Sequence, residues 1–172
     1  MTPTIDTPRL VLMPYRAGMV TYQEIGWLNN KGLMKYSEQR HHVHTIMSQH
    51  EYLNRFPVNS HIWLVCLKDD EPGLIPRIGT ISAHIDPFNK TANMGVLIGN
   101  HAGCGYGTEA WKRVMDFLFE WGTEKIEAGM MQTNEPMMAV CKKTGMAMEG
   151  IKPKHFLVDN KRVDLVQYGV WR

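Results

Sequence analysis

The chain has 172 residues, close to the ~150 of an average domain, long enough to hide roughly 70% of the unfolded chain's surface without metal or disulfide staples. With 44% hydrophobic and 21% charged residues it does not have the composition of a disordered chain, and a net charge of +2 falls short of the basic surface of a dedicated nucleic-acid binder. No apolar run approaches the ~18 residues that span a bilayer, and the opening MTPTIDTPRL lacks the apolar core of a signal peptide, so neither a membrane nor a secreted protein is expected. One domain over residues 1–172 is the expectation, because no linker, repeat or low-complexity tract divides the sequence.

In chain order, Arg9 to Pro14 alternates and predicts a first strand. A polar helical stretch runs from about Gly18 to Asn29, and a second from Thr45 to Phe56 is stopped by Pro57. Thr45 is its candidate N-cap, and Ser48 with Glu51 repeats the capping spacing one turn on. HIWLVCL is a strand running into the turn cluster DDEPG, where Pro72 and Gly73 break regular structure. Ile78 to Ile85 alternates, with Ile81, Ala83 and Ile85 on one face and Thr80, Ser82, His84 and Asp86 on the other. DPFNK turns the chain into a third strand, Met94 to Ile98, which completes an antiparallel meander.

From Gly107 to Trp121 the period becomes helical, with Ala110, Trp111, Val114, Met115, Leu118 and Trp121 on one face. Ile126 to Met131 is a short strand, and Asn134 caps a helix with Pro136 in its first turn and Lys142 and Lys143 before Gly145. Two last strands flank a hairpin turn at Val158 to Lys161, with Asn160 suited to the left-handed conformation. The order βααβββαβαββ predicts an α/β fold with a mixed, mostly antiparallel sheet flanked by helices.

The chemistry concentrates in MGVLIGNHAGCGYGTEAW, where a strand enters a loop with Gly103, Gly105 and Gly107 and the loop opens an amphipathic helix. Free N–H groups of a first helical turn, next to glycines that let backbone approach a ligand, favour a phosphate. Thr108 and Glu109 after Gly107 do not supply the Lys-Ser/Thr ending of a nucleotide triphosphatase loop, and three preceding antiparallel strands do not fit a dinucleotide-binding βαβ unit. The three cysteines, Cys66, Cys104 and Cys141, form no metal-ligand pattern and fit a reduced, cytoplasmic chain. The 13 methionines read as adaptable core filling.

Gly105-Tyr106-Gly107, within GYGTEAW, resembles the acetyl-CoA loop of the GNAT (Gcn5-related) N-acetyltransferases, in the Rim-type branch that acetylates ribosomal-protein N-termini. TPRLVLMPYR is similar to that branch's opening strand, and NEPMMAVCKKTGM to its Asn-led helix, with Met146 in the place of a Phe. The element order agrees, so the resemblance covers nearly the whole chain. Two departures stand out: Ala102 occupies the Arg/Gln position of the loop, and Cys141 the position of a Tyr that protonates the leaving thiolate in many members.

The resemblance implies a GNAT fold and direct attack of a neutral primary amine on the thioester of acetyl-CoA, with no metal. It assigns cofactor binding to Val96, Leu97 and Ile98 in a splayed strand, to Gly103, Cys104, Gly105, Tyr106, Gly107 and Thr108 in the loop, and to Asn134 for the pantetheine arm. Positioning and backbone polarisation of the carbonyl then carry the reaction. A group near pH 7 is needed to deprotonate the ammonium; His84, on the polar face of its strand, is the first candidate and His101 the second. Cys141 is the candidate acid, against a plain core role.

In YSEQRHHVHT, His42 and His44 are expected on one strand face, without the neighbouring carboxylate or Cys a metal site needs. Arg40 and His41 are candidate acceptor-binding residues, and with Lys35 they favour an acceptor carrying phosphate over a polycation. Three acceptor classes follow, a nucleotide-linked amino sugar, a protein N-terminus and a small amine such as a polyamine or antibiotic, with the amino sugar slightly preferred, the protein N-terminus next, and the lack of an acidic cluster counting against polyamines. A non-catalytic acyl-CoA sensor or interaction module is the alternative, and sheet edges or Val163 to Trp171 are the candidate surfaces for a homodimer.

Overall fold

A computed structural model describes residues 2–68 and 76–172. The expected DDEPG turn, including Pro72 and Gly73, lies outside the described residues. Eight strands form one sheet in the order β1-β2-β3-β4-β5-β6-β8-β7: β1 (Ile5–Asp6), β2 (Leu10–Pro14), β3 (His61–Leu67), β4 (Arg77–Asp86), β5 (Thr91–Ile98), β6 (Lys125–Met131), β7 (Ala147–Val158) and β8 (Lys161–Trp171). Every neighbouring pair is antiparallel except β5 with β6. The short β1 aside, the sheet is the mixed α/β arrangement that the element order implies.

Among the described residues the α-helices are α1 (Tyr22–Leu28), α2 (Lys31–Met34), α3 (Ile46–Asn54), α4 (Tyr106–Trp121) and α5 (Glu135–Lys143). The first begins later than the polar pattern suggests, because Thr21 and Glu24 close a capping box there and residues 17–19 form only a 3-10 turn. Thr45 caps α3 as expected and closes a capping box with Ser48, whose hydroxyl accepts from the Thr45 N–H at 2.9 Å. Residues 38–41 are a 3-10 turn, and His42 and His44 follow in irregular backbone rather than in a strand.

β3 is buried on both faces, which is why HIWLVCL reads as an unbroken apolar run. On one side Trp63 and Val65 pack with Ile81 and Ala83 of β4 against Trp111, Val114, Met115 and Leu118 of α4. On the other, Ile62, Leu64 and Cys66 join Tyr15, Leu53 and Phe56 beneath the α1–α3 segment. Each such large side chain contributes about 1.5–3 kcal/mol by leaving water. Trp121, expected on the buried face of α4, is 58% exposed; it is the last residue before the left-handed Gly122 cap, and its ring leans on Phe117 at 5.2 Å. Asp159 and Asn160 both take positive φ in the β7–β8 turn. Because β8 lies between β6 and β7, the free edge at this end of the sheet belongs to β7, not to Val163–Trp171. No described helix is long and apolar enough to cross a membrane.

Candidate active site

The sheet opens in its middle. β5 and β6 are paired only at Thr91–Lys125, Ala92–Ile126 and Asn93–Glu127. Past Asn93, β5 stays bonded to β4 up to Ile98, while its other edge faces a widening gap. Alternate residues of a strand turn their N–H and C=O groups to opposite edges, so part of the Met94–Ile98 backbone presents unpaired donors and acceptors to that gap. The gap is one end of a cleft of about 670 Å³.

At the end of β5 the chain passes closely under α1: a Cβ on Gly99 would sit 2.2 Å from the Trp27 indole, so only glycine fits. The following loop has positive φ at every second residue, +59° at His101, +84° at Gly103 and +81° at Gly105. This alternation folds successive backbone N–H groups into a concave nest that attracts anions. Gly105 is also the N-cap of the 16-residue α4 and offers no side-chain cap, so the first-turn N–H groups remain free for a ligand at the positive end of the helix dipole.

The loop is held from behind by the β1–β2 turn. Glu109, in the first turn of α4, accepts from the Thr7 hydroxyl at 2.6 Å, the Arg9 N–H at 2.9 Å and Arg9 Nε at 2.6 Å. Burial alone raises a carboxyl's pKa, but these bonds outweigh it and hold Glu109 below its ordinary value. Arg9 Nη1 continues to the Cys104 carbonyl at 3.1 Å, and the guanidinium lies 4.5 Å from the Tyr106 ring centroid.

Across the gap, β6 and α5 form the second wall. Asn134 Oδ1 accepts from the Met137 N–H at 3.3 Å, capping α5 while its side chain borders the cleft. The third wall comes from α2 and the turn after it, with Tyr36, Ser37 and Glu38, closed by Phe156 of β7. Among the described residues lining the cleft, Glu38 is the one carboxylate.

Of the residues singled out in the sequence, Val96, Leu97, Ile98, Gly103, Gly105, Tyr106, Gly107, Thr108, Asn134 and His101 all line this cleft. Cys104 does not; its carbonyl turns towards Arg9. His84 is brought to a separate hollow with Tyr52 and Pro57, its ring 4.8 Å from that of Phe56, and burial there lowers its pKa. That position removes its motivation as a base. Cys141 is fully buried in the core against α4, and burial pushes its thiol up to about 11, so it has no access to a leaving group.

Arg40 and His41 lie outside the lining. Arg40 Nη1 donates to the Ser37 carbonyl at 3.0 Å and to Glu38 at 2.6 Å, and Nη2 donates to the Leu157 carbonyl at 3.3 Å. Lys35 is drawn onto the Tyr36 ring, 4.7 Å from its centroid. The basic acceptor rim expected from this segment is thus tied into local structure. Sequence reasoning missed Tyr36, Glu38 and Phe156, whose convergence requires the β7 crossover. Arg9, at the start of the expected first strand, and Glu109, just after the glycine loop, are brought together only by the fold.

Residues 9–147 match the family model described as Acetyltransferase (GNAT) domain. A search of curated protein sequences finds no match. Among solved structures, RimL, a ribosomal L7/L12 alpha-N-protein acetyltransferase in complex with coenzyme A, superposes with TM-score 0.85 at 16% identity over 98% of both chains. A GNAT-family acetyltransferase from Bacillus anthracis gives 0.80 at 22% identity, again over 98% of both. The microcin C7 self-immunity acetyltransferase MccE, in complex with acetyl-CoA and AMP, gives 0.79 at 18% identity over 96% of this chain and 94% of its own. At these identities the structural likeness is one of fold.

Proposed function

The chain belongs to the acetyltransferase (GNAT) domain family, and we propose that its cleft binds acetyl-CoA between β5 and β6 and directs the acetyl group to the N-terminal α-amine of a peptide or protein. The activity class is acetyl-CoA-dependent N-acetyl transfer. The observation that carries the assignment is the sheet opening that leads into the alternating positive-φ loop and the uncapped end of α4. A gap with free strand edges suits an extended amide-bearing arm, and the nest at its end suits a pyrophosphate. Acetyl-CoA would supply an activated acyl carbon: its C–S bond breaks as the C–N bond forms, and coenzyme A leaves as the thiol once water returns a proton to match the one the amine gives up.

The residues then divide the work. Backbone N–H groups of Val96 to Ile98 on the free edge of β5 donate to the acyl oxygen, where negative charge develops during attack. Gly103, Gly105, Gly107 and Thr108 hold the phosphates through their backbone, and Asn134 borders the arm. Glu38 is the acceptor-side carboxylate: its Oε1 is paired with Arg40, and its Oε2 accepts from the incoming ammonium and orients the amine as water or His101 takes the proton. That wall brings Tyr36, Ser37 and the Glu38 carboxylate to the cleft while Arg40 and Lys35 lie outside its lining, which moves the preference from an amino-sugar nucleotide to a peptide amine. A cytoplasmic setting goes with this reading, since the donor is acetyl-CoA and Cys66, Cys104 and Cys141 are free thiols.

Calorimetric titration with acetyl-CoA, with adenosine diphosphate as control, tests the donor half. A panel of short peptides with free N-termini, alongside amino-sugar nucleotides, tests the acceptor half. Selective acetyl-CoA binding with acetylation of peptide α-amines is expected. Acetylation confined to amino-sugar nucleotides would overturn the acceptor assignment, and binding without transfer to any amine would favour the sensor.

A further inference from the structure

Between Gly99 and Gly105 the loop contains no lysine or arginine, yet it holds three positive-φ residues in alternation. One of them is His101, for which that conformation costs on the order of 1 kcal/mol or more. Such a backbone persists only when its surroundings impose it, so something outside the loop has to fix its shape. The side chain in position to do so is Arg9. It reaches the Cys104 carbonyl, lies against the ring of the cleft-lining Tyr106, and passes so close to Gly105 that a Cβ there would meet Nη2 at 3.5 Å.

Glu109 fixes Arg9 in turn, through its backbone N–H and Nε together, and Thr7 adds a third bond to the same carboxylate. Glu109 bridges the Arg9 backbone N–H and Nε, and Nη1 is held separately by the Cys104 carbonyl, so the guanidinium is fixed at two points rather than one. The Glu109 side chain is 16% exposed and that of Arg9 49%, so the orientation of Arg9 rests on these directed bonds more than on the screened charge pair. None of this network lines the cleft itself: Arg9 and Glu109 stand behind the loop, and Tyr106 and Gly105 are its front.

We propose that Arg9, Glu109 and Thr7 form a clamp that pre-organises the 101–105 nest, making Arg9 and Glu109 positioning residues for the pyrophosphate of the donor. The proposal rests on the acetyl-CoA reading of the cleft. Its consequence is selective. Loosening the clamp weakens capture of the nucleotide end of the donor and leaves the acyl-transfer geometry at β5 unchanged, because β5 keeps its full ladder to β4.

The experiment compares wild type with Arg9→Met, which keeps the apolar stem, and with Glu109→Gln, which keeps the shape of the partner. Coenzyme A affinity is read by calorimetry, and turnover is read with S-acetylpantetheine, a donor without the pyrophosphate. The expected result is a rise of about ten- to a hundredfold in the coenzyme A Kd for both variants, in line with what misplacing a binding group by about 1 Å costs. Turnover of S-acetylpantetheine stays within about twofold of wild type. The double variant is no worse than the more affected single one, because the two act as one unit. Unchanged coenzyme A affinity in Arg9→Met overturns the clamp, as does an equal loss with both donors, which marks a general structural role. Failure of wild type itself to bind coenzyme A overturns the donor assignment together with the clamp, and is told apart by occurring before any substitution.

Discussion

The donor and acceptor walls of the cleft are built differently. The donor side rests on long elements: β5 is paired along its length to β4, α4 runs for 16 residues over the main core, and the loop between them is tied to β2 by the paired charges of Arg9 and Glu109. The acceptor side is made from the four-residue α2 and the 3-10 turn at 38–41. It is held by two polar ties, Arg40 to the Leu157 carbonyl and the reciprocal bonds between Asn29 and the His44 backbone at 2.8 and 2.9 Å. Little apolar area anchors such short pieces, so they tolerate sequence change that the donor side does not. A fold arranged this way keeps one acyl donor while its acceptor is free to change.

The largest expected effect lies on the rigid side. Gly105→Val places a β-branched residue at φ +81° and brings its Cβ against Arg9. The cost to folding is about 1–3 kcal/mol, while the loss of the nest is expected to weaken acetyl-CoA binding by at least about a hundredfold. Calorimetry on the folded variant separates the two effects, and retained wild-type affinity would show that the donor is held elsewhere.

The opposite side gives a smaller and differently shaped response. Glu38→Gln keeps the side chain's size and removes the one carboxylate among the described residues lining the cleft, which is 61% exposed and paired with Arg40. A rise of about three- to tenfold in the acceptor KM is expected, shrinking as salt is added, with the acetyl-CoA Kd unchanged. A fall in kcat with no change in the acceptor KM would instead make Glu38 part of the proton transfer. The two substitutions together show whether the walls act independently.

That asymmetry also governs how much could be read in advance. The donor side is local in sequence: strand, glycine loop and helix lie within MGVLIGNHAGCGYGTEAW, so periodicity and spacing reveal both the elements and their chemistry. The acceptor side is non-local. Glu38 and Phe156 meet only because β7 crosses beyond β8 at the sheet edge, and Arg40 looks like a free cation until its bond to Leu157 is seen. His84 illustrates the same limit. Its alternation correctly places it on the polar face of β4, but the sequence carries no sign that α3 would bring Phe56 over it. Cys141 is a candidate acid only through its match to the family's Tyr position, and its complete burial agrees with the core role read beside it from the helix face.

The smallest effect on activity is expected at that buried thiol. Cys141→Ala should leave kcat unchanged from neutral to mildly alkaline pH and cost about 1–2 kcal/mol of stability through the cavity it opens. Its pH signature is in folding. Burial raises the thiol from 9.0 to about 11, so the folded chain binds this proton more tightly than the unfolded chain does. The resulting stabilisation is complete below about pH 9 and is lost as pH climbs towards 11. Thermal unfolding across this window should therefore fall less steeply in Cys141→Ala than in wild type, with part of the slope retained because Cys66 is raised to about 11 in the same way. An alkaline limb in kcat that disappears with the thiol would mean that α5 turns Cys141 towards the cleft during turnover, and would restore it as a proton donor.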